Sequence, residues 1–523
     1  MINRLFFSFL LLFALFQARS QSKVNLGRPV NNPLSHDRNP SLSGDGKYMI
    51  FETDYGDERL YPVIATQVAS MWSRPEELGG LYNKMTNDKD WHLNYDGSIV
   101  FFSSSRYGGV GNADIWMARK QGEKWSTPVN LAKPVNSSAG EVSPSISADD
   151  KRLFFVRLNG KQTSTGQSCG VIMTSELKAN SWSEPVALPA PINTGCECAP
   201  KILSDNKTLI FASSRDKGKG GLDLYKSILQ ANGQWSTPIP LDFINTEKDD
   251  LYITIPGKGG YAIITATEHE KDDLFKVKLP DNFLPQKHLV LHSVITEKNS
   301  NKTIAAKIRI SDLYKNETDQ ELYTEGSSGK FKAVLTGRDS YLLTILPMAK
   351  GYFHETFILS DNSTMPKAIS LTPLKEGSAK PLSSIDFNDA GEIKMGAEEL
   401  DHLVRILKDN PEVSLEIAAH YKEIIKDTIQ RNDLTETDSI VSVKTKILRG
   451  TTADNDIPQI DTITVNEVTL IYHNNRTQKE ANSVKNYLVS KGISSNRVKA
   501  VGYGDMQRKV EENAIRKIEL IVL

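Results

Sequence analysis

A repeat constrains this chain more than any other feature. Residues 39–51 (NPSLSGDGKYMIF), 92–102 (HLNYDGSIVFF), 143–155 (SPSISADDKRLFF) and 199–211 (APKILSDNKTLIF) follow one order of residue types, and 253–264 (ITIPGKGGYAII) is a looser fifth copy. Each reads as a short strand, a polar turn and an alternating apolar strand, the signature of a β-hairpin. A loop and a third strand follow: SSSRYGGVGNADIWMA (103–118) parallels SSRDKGKGGLDLYKS (213–227), with an echo in TEHEKDDLFKV (267–277). Trp-Ser-x-Pro then opens a fourth strand at Trp72, Trp125, Trp182 and Trp235. Four strands recurring every fifty to sixty residues predict propeller blades. One blade cannot bury both its faces, so the copies must stack radially.

The count leaves a mismatch: five hairpins but four Trp-Ser-x-Pro strands. VNLGRPVN at 24–31 nearly repeats the fourth-strand stretch VNLAKPVN at 129–136, yet no hairpin precedes it. The economical reading is that residues 24–31 supply the missing strand of the last blade and close the ring, removing its exposed edges. Residues 23–283 are thus expected to form an all-β, five-bladed propeller. The hairpin and Trp-Ser-x-Pro residues resemble the PD40 or WD40-like propeller repeats of exported bacterial proteins, over about half of the chain. GGVG (108–111) and GKGG (218–221) lie between strands and read as turns, since a phosphate cradle needs a helix N-terminus after it. Asp114, Asp223 and Asp273 recur before the third strand, which points to turn-fixing hydrogen bonds, and the four Trp residues to packing.

Lys plus Arg number 63 against 64 for Asp plus Glu, so the charge gives no reason to expect nucleic acid or an anionic membrane surface as partner. Residues 1–20 read as a secretory signal peptide, with a basic Arg4, an apolar run from Leu5 to Phe16 and Ala18-Arg19-Ser20 before the cleavage point. That run is too short to span a bilayer, which takes about 20 residues, and no later segment is suited to it. An exported chain is expected, in the periplasm and associated with the outer membrane or the cell wall. In an oxidising compartment Cys169 is expected to pair with Cys196 or Cys198. No metal site and no cofactor are expected.

Residues 287–375 alternate with short turns and predict an antiparallel β-sandwich. The stretch resembles a carboxypeptidase regulatory-like domain, which implies a spacer or contact surface. Residues 380–523 read as α+β. One helix places Leu400, Leu403, Val404 and Leu407 on one face, a second Ala481, Val484, Tyr487 and Leu488, and Gly492 ends the second.

NYLVSKGISSNRVKAVGYGD and RKIEL resemble the OmpA-like C-terminal domain, which implies contact with peptidoglycan. That family holds diaminopimelate with an Asp in G-H-T-D and an Arg in L-S-x-x-R-A. Here the stretches read Ala419-His420-Tyr421-Lys422 and Arg476-Thr477-Gln478-Lys479-Glu480-Ala481, so Lys422 replaces the carboxylate and Glu480 the guanidinium. Like charges would then face the ligand, and Lys422 has no acceptor. Three readings stay open. Thr477 is the N-cap with Glu480 as its capping-box partner, Lys422 pairs with Glu480, and the site is lost. Alternatively Lys479, Arg476 or Asp427 stands in for the lost groups. In the third, the pocket takes another acidic or peptide ligand. An insertion of about 424–470, threonine-rich and able to form a hairpin, separates the two stretches.

No nucleophile motif, zinc motif or phosphate loop occurs, so a chain that is not an enzyme is expected. The order of domains resembles PorE-like envelope components of type IX secretion, without their helical repeats. The expectation is an envelope scaffold: the propeller binds partner proteins and the last domain faces peptidoglycan. The alternative is a periplasmic ligand-binding or hydrolytic propeller with a vestigial OmpA-like tail.

Overall fold

The computed structural model describes residues 23–523 apart from Glu58, Thr165, Ala179, Lys217, Asn301, 313–317, 337–339, 361–365, Asp389, 422–436, 452–457, 473–474 and 505–515. The expected signal peptide, residues 1–20, lies outside the described residues. Strands take 48% of the chain and helices 9%, so it is mostly β. It divides into two compact units, Met1–Leu291 with Lys332–Arg338, and His292–Phe331 with Asp339–Leu523.

The first unit is a succession of antiparallel meanders. Asp37–Leu42, Tyr48–Thr53 and Tyr61–Val68 form the first, with Glu76–Glu77 as a short fourth strand. Lys89–Leu93, Ile99–Ser104, Asp114–Gln121 and Val129–Asn130 repeat the plan. So do Glu141–Ile146, Arg152–Gln162, Ser168–Lys178 and Val186–Ala187, and then Glu197–Ile202, Thr208–Ser213, Asp223–Ile228 and Ile239–Pro240. Ile253–Thr254, Tyr261–Glu268 and Lys271–Lys278 follow. Their fourth strand is Val24–Asn25, with Val24 opposite Lys276 and Asn25 opposite Phe275.

The repeated octapeptide has a physical explanation. Its last asparagine grips both backbone groups of one third-strand residue. Asn136 Oδ1 accepts from Ile115 N–H (2.9 Å) and its Nδ2 donates to Ile115 O (3.0 Å). Asn193 does the same to Ile172 and Asn245 to Leu224. Asn31 does it to Leu274, with distances of 3.0 and 2.9 Å. The amide side chain stands in for a strand backbone at the point where the fourth strand leaves the ladder, so the buried N–H and C=O stay paired.

A second device recurs inside three repeats. Arg106 and Arg215 just after second strands, and Arg157 within one, bond the buried carboxylates of Asp88 (2.6 Å), Glu141 (2.7 Å) and Glu197 (3.3 Å) at the start of the first strands. Each guanidinium lies over an aromatic ring of that second strand: Phe102, Phe155 or Phe211. Two of the three recurring aspartates fix turns: Asp114 accepts from the Val110 and Gly111 amides, and Asp223 from those of Lys219 and Gly220, whereas Asp273 pairs with Lys271 (2.7 Å) and accepts from Asn25 Nδ2 (3.0 Å).

Cys169 and Cys196 form a disulfide across 27 residues, joining the third strand of one repeat to the start of the next, while Cys198 is free and buried. A cross-link over a loop of that length stabilises by about 3 kcal/mol. Replacing both cysteines by Ala should therefore lower the melting temperature of the first unit by several degrees, and a reductant should do the same to the native chain. Calorimetry with and without dithiothreitol checks both.

The second unit holds an antiparallel sheet of Thr318–Tyr323, Ala306–Asp312, Ser340–Pro347 and Glu355–Ser360. The sandwich is not wholly antiparallel as expected: Val294–Glu297 runs parallel to Ala368–Leu371. The strands between them supply the long connection that a parallel pair requires. Farther on, the sheet order is Ala379–Leu382, Arg516–Val522, Leu415–Tyr421, Val498–Gly504, the last pair parallel. Helices α1 (Ala397–Asp409) and α2 (Asn475–Ser490) bury Leu400, Leu403, Leu407, Ala481, Val484 and Leu488 in the core of this layer. Gln478 ties α2 to the edge of the sheet through Gly502 N–H (2.9 Å) and Ala500 O (3.1 Å). Within the insertion, Thr437–Thr451 and Pro458–Tyr472 pair as a long hairpin.

Candidate functional site: the polar centre of the ring

The first strands of the repeats pack against one another around a common centre. Leu93 N–H donates to Ser41 Oγ (3.0 Å), Ile202 N–H to Ser145 Oγ (3.1 Å) and Leu42 N–H to Thr254 Oγ1 (3.0 Å). Ser204 Oγ donates to Gly257 O (3.2 Å). Each contact joins two different repeats.

Every one of these strands but the last is bulged. The residues at the bulge, Asn39, Asp90, Ser143 and Ala199, have left-handed backbone (φ 53°, 58°, 54° and 45°). The bulge turns the amide sideways onto the neighbouring repeat. Asn39 N–H donates to Thr265 Oγ1 (3.1 Å), Asp90 N–H to Glu52 Oε1 (2.8 Å) and Ser143 N–H to Ser103 Oγ (3.1 Å). Side chains extend the belt: Asn39 Nδ2 donates to Glu52 Oε1 (3.0 Å), and Ser143 N–H also reaches Asp90 Oδ2 (3.1 Å). At Ala199 the side chain has nothing to contribute. Below it the buried Cys198 thiol is pushed up by burial and stays protonated, hence unreactive.

Burial, and then the charge of Asp90, push the Glu52 carboxyl up to about 7. The folded state therefore holds a proton that the unfolded chain loses near pH 4.5. Stability from this group is fully present below the unfolded value and is lost as pH rises toward 7, about 3 kcal/mol at 1.36 kcal/mol per pH unit. Glu52→Gln keeps the Oε1 acceptor and removes the titration. Its melting temperature should match the native chain near pH 4.5 and exceed it at pH 8, as thermal melts across that range would show.

One layer away, Lys201 Nζ donates to His92 Nδ1 (3.0 Å), with Ser41 Oγ at 3.4 Å from the same nitrogen. Lysine has no acceptor, so Nδ1 accepts and the ring proton sits on Nε2. Burial, reinforced by the Lys201 charge, holds His92 well below its ordinary value, and burial brings Lys201 down to about 8 against the pull of Asp90 and Glu52. A cavity of about 50 Å³ lies beside them, lined also by Tyr95, Thr254, Ser204 and Gly257. Gly44 and Gly257 leave no room for a side chain because the Tyr95 ring rests on them.

None of Glu52, Asp90, His92 and Lys201 was singled out from sequence. A signal did exist. Aligned on their hairpins, the repeats carry Asn39, Asp90, Ser143 and Ala199 at one position and Ser41, His92, Ser145 and Lys201 two residues on. These inner positions vary while the turn and outer positions recur.

The residues expected at the altered cell-wall site are in the second unit. His420 is buried on Leu415–Tyr421 and stacks on Tyr503, with ring centroids 5.1 Å apart. Glu480 is buried under α2, and Lys479 next to it is exposed. Lys422, the Arg476 side chain and Asp427 lie outside the described residues, and with them the Lys422–Glu480 pair. The capping box is corrected: α2 already includes Asn475, so Thr477 falls inside the first turn and not at the N-cap.

No protein-family model matches the chain, and no curated protein does. Solved structures do. TolB from Acinetobacter baumannii is 12% identical with a TM-score of 0.30, over 62% of this chain and 64% of its own. A prolyl endopeptidase is 12% identical with a TM-score of 0.27, over 67% and 51%. GH43B from the xyloglucan utilisation locus of Bacteroides ovatus is 11% identical with a TM-score of 0.34, over 65% and 91%. The chain thus spans less than two thirds of the first two. The class of fold is propeller-like, as the recurring meanders define it. The expectation of a chain that is not an enzyme is withdrawn: glycoside hydrolases and an endopeptidase are among the structures it is similar to. Groups scattered over several repeats, as at this centre, leave no motif, so the absence of one does not separate the chain from enzymes. Among the described residues no helix is long and apolar enough to cross a membrane.

Proposed function

We propose that the chain is an exported protein of the cell envelope. Its first unit is a five-bladed propeller that serves as a platform for a protein partner. A carboxypeptidase regulatory-like sandwich (287–375) and an OmpA-like domain (380–523) that faces peptidoglycan follow. The meanders and the strand Val24–Asn25 beside Lys271–Lys278 support the closed ring. The strand–helix–strand order and the parallel pair of the last layer support the OmpA-like reading.

One observation favours a platform. Leu34 (83% exposed), Met85 (88%) and Tyr107 (102%) project into solvent from the first two repeats. Leu34 and Met85 precede first strands, and Tyr107 links a second strand to a third. In a radial stack of meanders both kinds of loop emerge on one face, opposite the hairpin turns. The three most exposed large apolar side chains described in the unit share that face, with the less exposed Val68 (65%) and Met71 (72%) at a turn on the other, and such a grouping marks an interaction surface.

Photo-crosslinkers at Met85 and Tyr107 should capture one dominant envelope protein, while a crosslinker at the exposed Asp45, on the hairpin face, should not. Equal capture from both faces, or none, would remove the platform. Sedimentation with purified sacculi tests the last domain separately: retention of the native chain supports a wall-facing role, and its absence removes that role while leaving the platform.

A further inference from the structure

We propose that the cavity at the centre of the ring, between His92 and Lys201, binds a carboxylate. The inference deepens the reading of the first unit as a closed binding ring and depends on that closure. It concerns the hairpin face, opposite the surface offered to a protein partner.

All five repeats meet at this cavity. Leu42 and Gly44 come from the first, His92 and Tyr95 from the second, Ile146 from the third, Lys201 and Ser204 from the fourth, and Thr254 and Gly257 from the fifth. What they present is a set of donors. His92 is 7% exposed, and among the described residues no acceptor stands at full hydrogen-bonding geometry to its Nε2, the Ile146 backbone making only a weak contact with the ring. The Lys201 contact fixes that nitrogen as an N–H donor, so a buried donor lines the cavity without a well-placed acceptor. Lys201 spends one N–H on His92 Nδ1 and has two more, on a cationic group. A neutral N–H beside an ammonium matches the two oxygens of a carboxylate with charge-assisted bonds.

Size narrows the ligand. A volume of about 50 Å³ holds roughly three or four waters, or one carboxylate with its first carbon atoms, and no sugar ring. Leu42, Leu93 and Ile146 on the wall suit a short apolar stem behind the charged end. The ligand is a small free carboxylate or the carboxyl end of a chain that reaches past Tyr95.

The test uses the full mature chain, with acetate, glycylglycine and glycylglycine amide as probes at constant ionic strength set with chloride. Acetate and glycylglycine should raise the melting temperature and shift the His92 Nε2–H proton signal, and the amide should do neither. A tenfold advantage of glycylglycine assigns the site to chain ends, and equal affinities assign it to small carboxylates. Lys201→Met, close in shape, should lose at least tenfold in affinity for both acids. Equal binding of the amide, a shift reproduced by chloride, or unchanged affinity in the folded Lys201→Met protein would overturn the proposal. If that variant does not fold, an unmoved His92 signal in the native chain overturns it alone. Failure here leaves crosslinking from Met85 and Tyr107 untouched, so loss of the ligand and loss of the platform are told apart.

Discussion

Deleting residues 24–31 should abolish the cooperative unfolding transition of the first unit. Val30 is buried, Leu26 packs beside it, and Asn31 satisfies both backbone groups of Leu274. Exposing one buried valine costs about 1.5–3 kcal/mol. Leaving the Leu274 N–H and C=O without partners costs about 1–3 kcal/mol each. The ladder with Phe275 and Lys276 is lost as well. The total reaches the order of the whole stability of a domain, about 5–15 kcal/mol. Near-ultraviolet circular dichroism and limited proteolysis would read the loss. The peptide VNLGRPVN added in trans should restore part of it, because the vacated edge is a ready template for a strand. Asn31→Ala alone should cost about 1–3 kcal/mol, because Leu274 N–H loses its acceptor while Leu274 O keeps the Leu26 N–H (3.0 Å). Native stability after the deletion would show that the ring closes without this strand.

The second large effect concerns Arg215. Its guanidinium lies between Phe211 (4.8 Å) and Tyr225 (5.0 Å), bonds Glu197, and reaches the Pro191 and Ile192 carbonyls. Arg215→Met keeps the packing of the stem but leaves the almost wholly buried Glu197 carboxylate without a counter-charge, held only by the Thr194 and Gly195 amides and the Ser213 hydroxyl. Breaking one side of such a pair typically costs about 3–5 kcal/mol, because the other charge stays in the interior without its counter-charge, and the remaining donors to Glu197 place this case near the lower end. Adding Glu197→Gln should recover more than half of that loss, since an amide is far cheaper to bury than an unpaired charge. Urea unfolding of the two single variants and the double variant closes the cycle. Arg106 with Asp88 should behave alike, being the same device one repeat pair earlier. If Arg215→Met unfolds at the native urea concentration, the ion pair contributes nothing and the repeat's internal logic must lie elsewhere.

The parts of the fold that could be read from sequence were those governed by neighbours along the chain. Alternation in MIFE and IVFF, the turn residues between strands and the octapeptide all act within a few residues, so the meanders and their order were legible. The helices of the second unit were legible for the same reason, through the spacing of Leu400, Leu403 and Leu407. Legibility stopped where contacts cross the chain. The parallel pairing of Val294–Glu297 with Ala368–Leu371 joins segments some seventy residues apart, and α2 starts three residues earlier than an N-cap at Thr477 implies. The cell-wall motif was readable as letters, but only burial showed Glu480 facing inward and Lys479 outward.

By itself the sequence determined that this chain folds from repeated four-stranded units and that its first strand belongs with its last meander. Hydrophobic period and turn chemistry are local, and a repeat multiplies them into an unmistakable pattern. Only the tertiary structure decided what stands at the centre. Glu52, Asp90, His92 and Lys201 lie up to about 150 residues apart, and each occupies a position with no fixed residue type. Their meeting, the raised Glu52 carboxyl and the weakly answered His92 N–H arise from desolvation, and desolvation is a property of the assembled ring that no single repeat possesses.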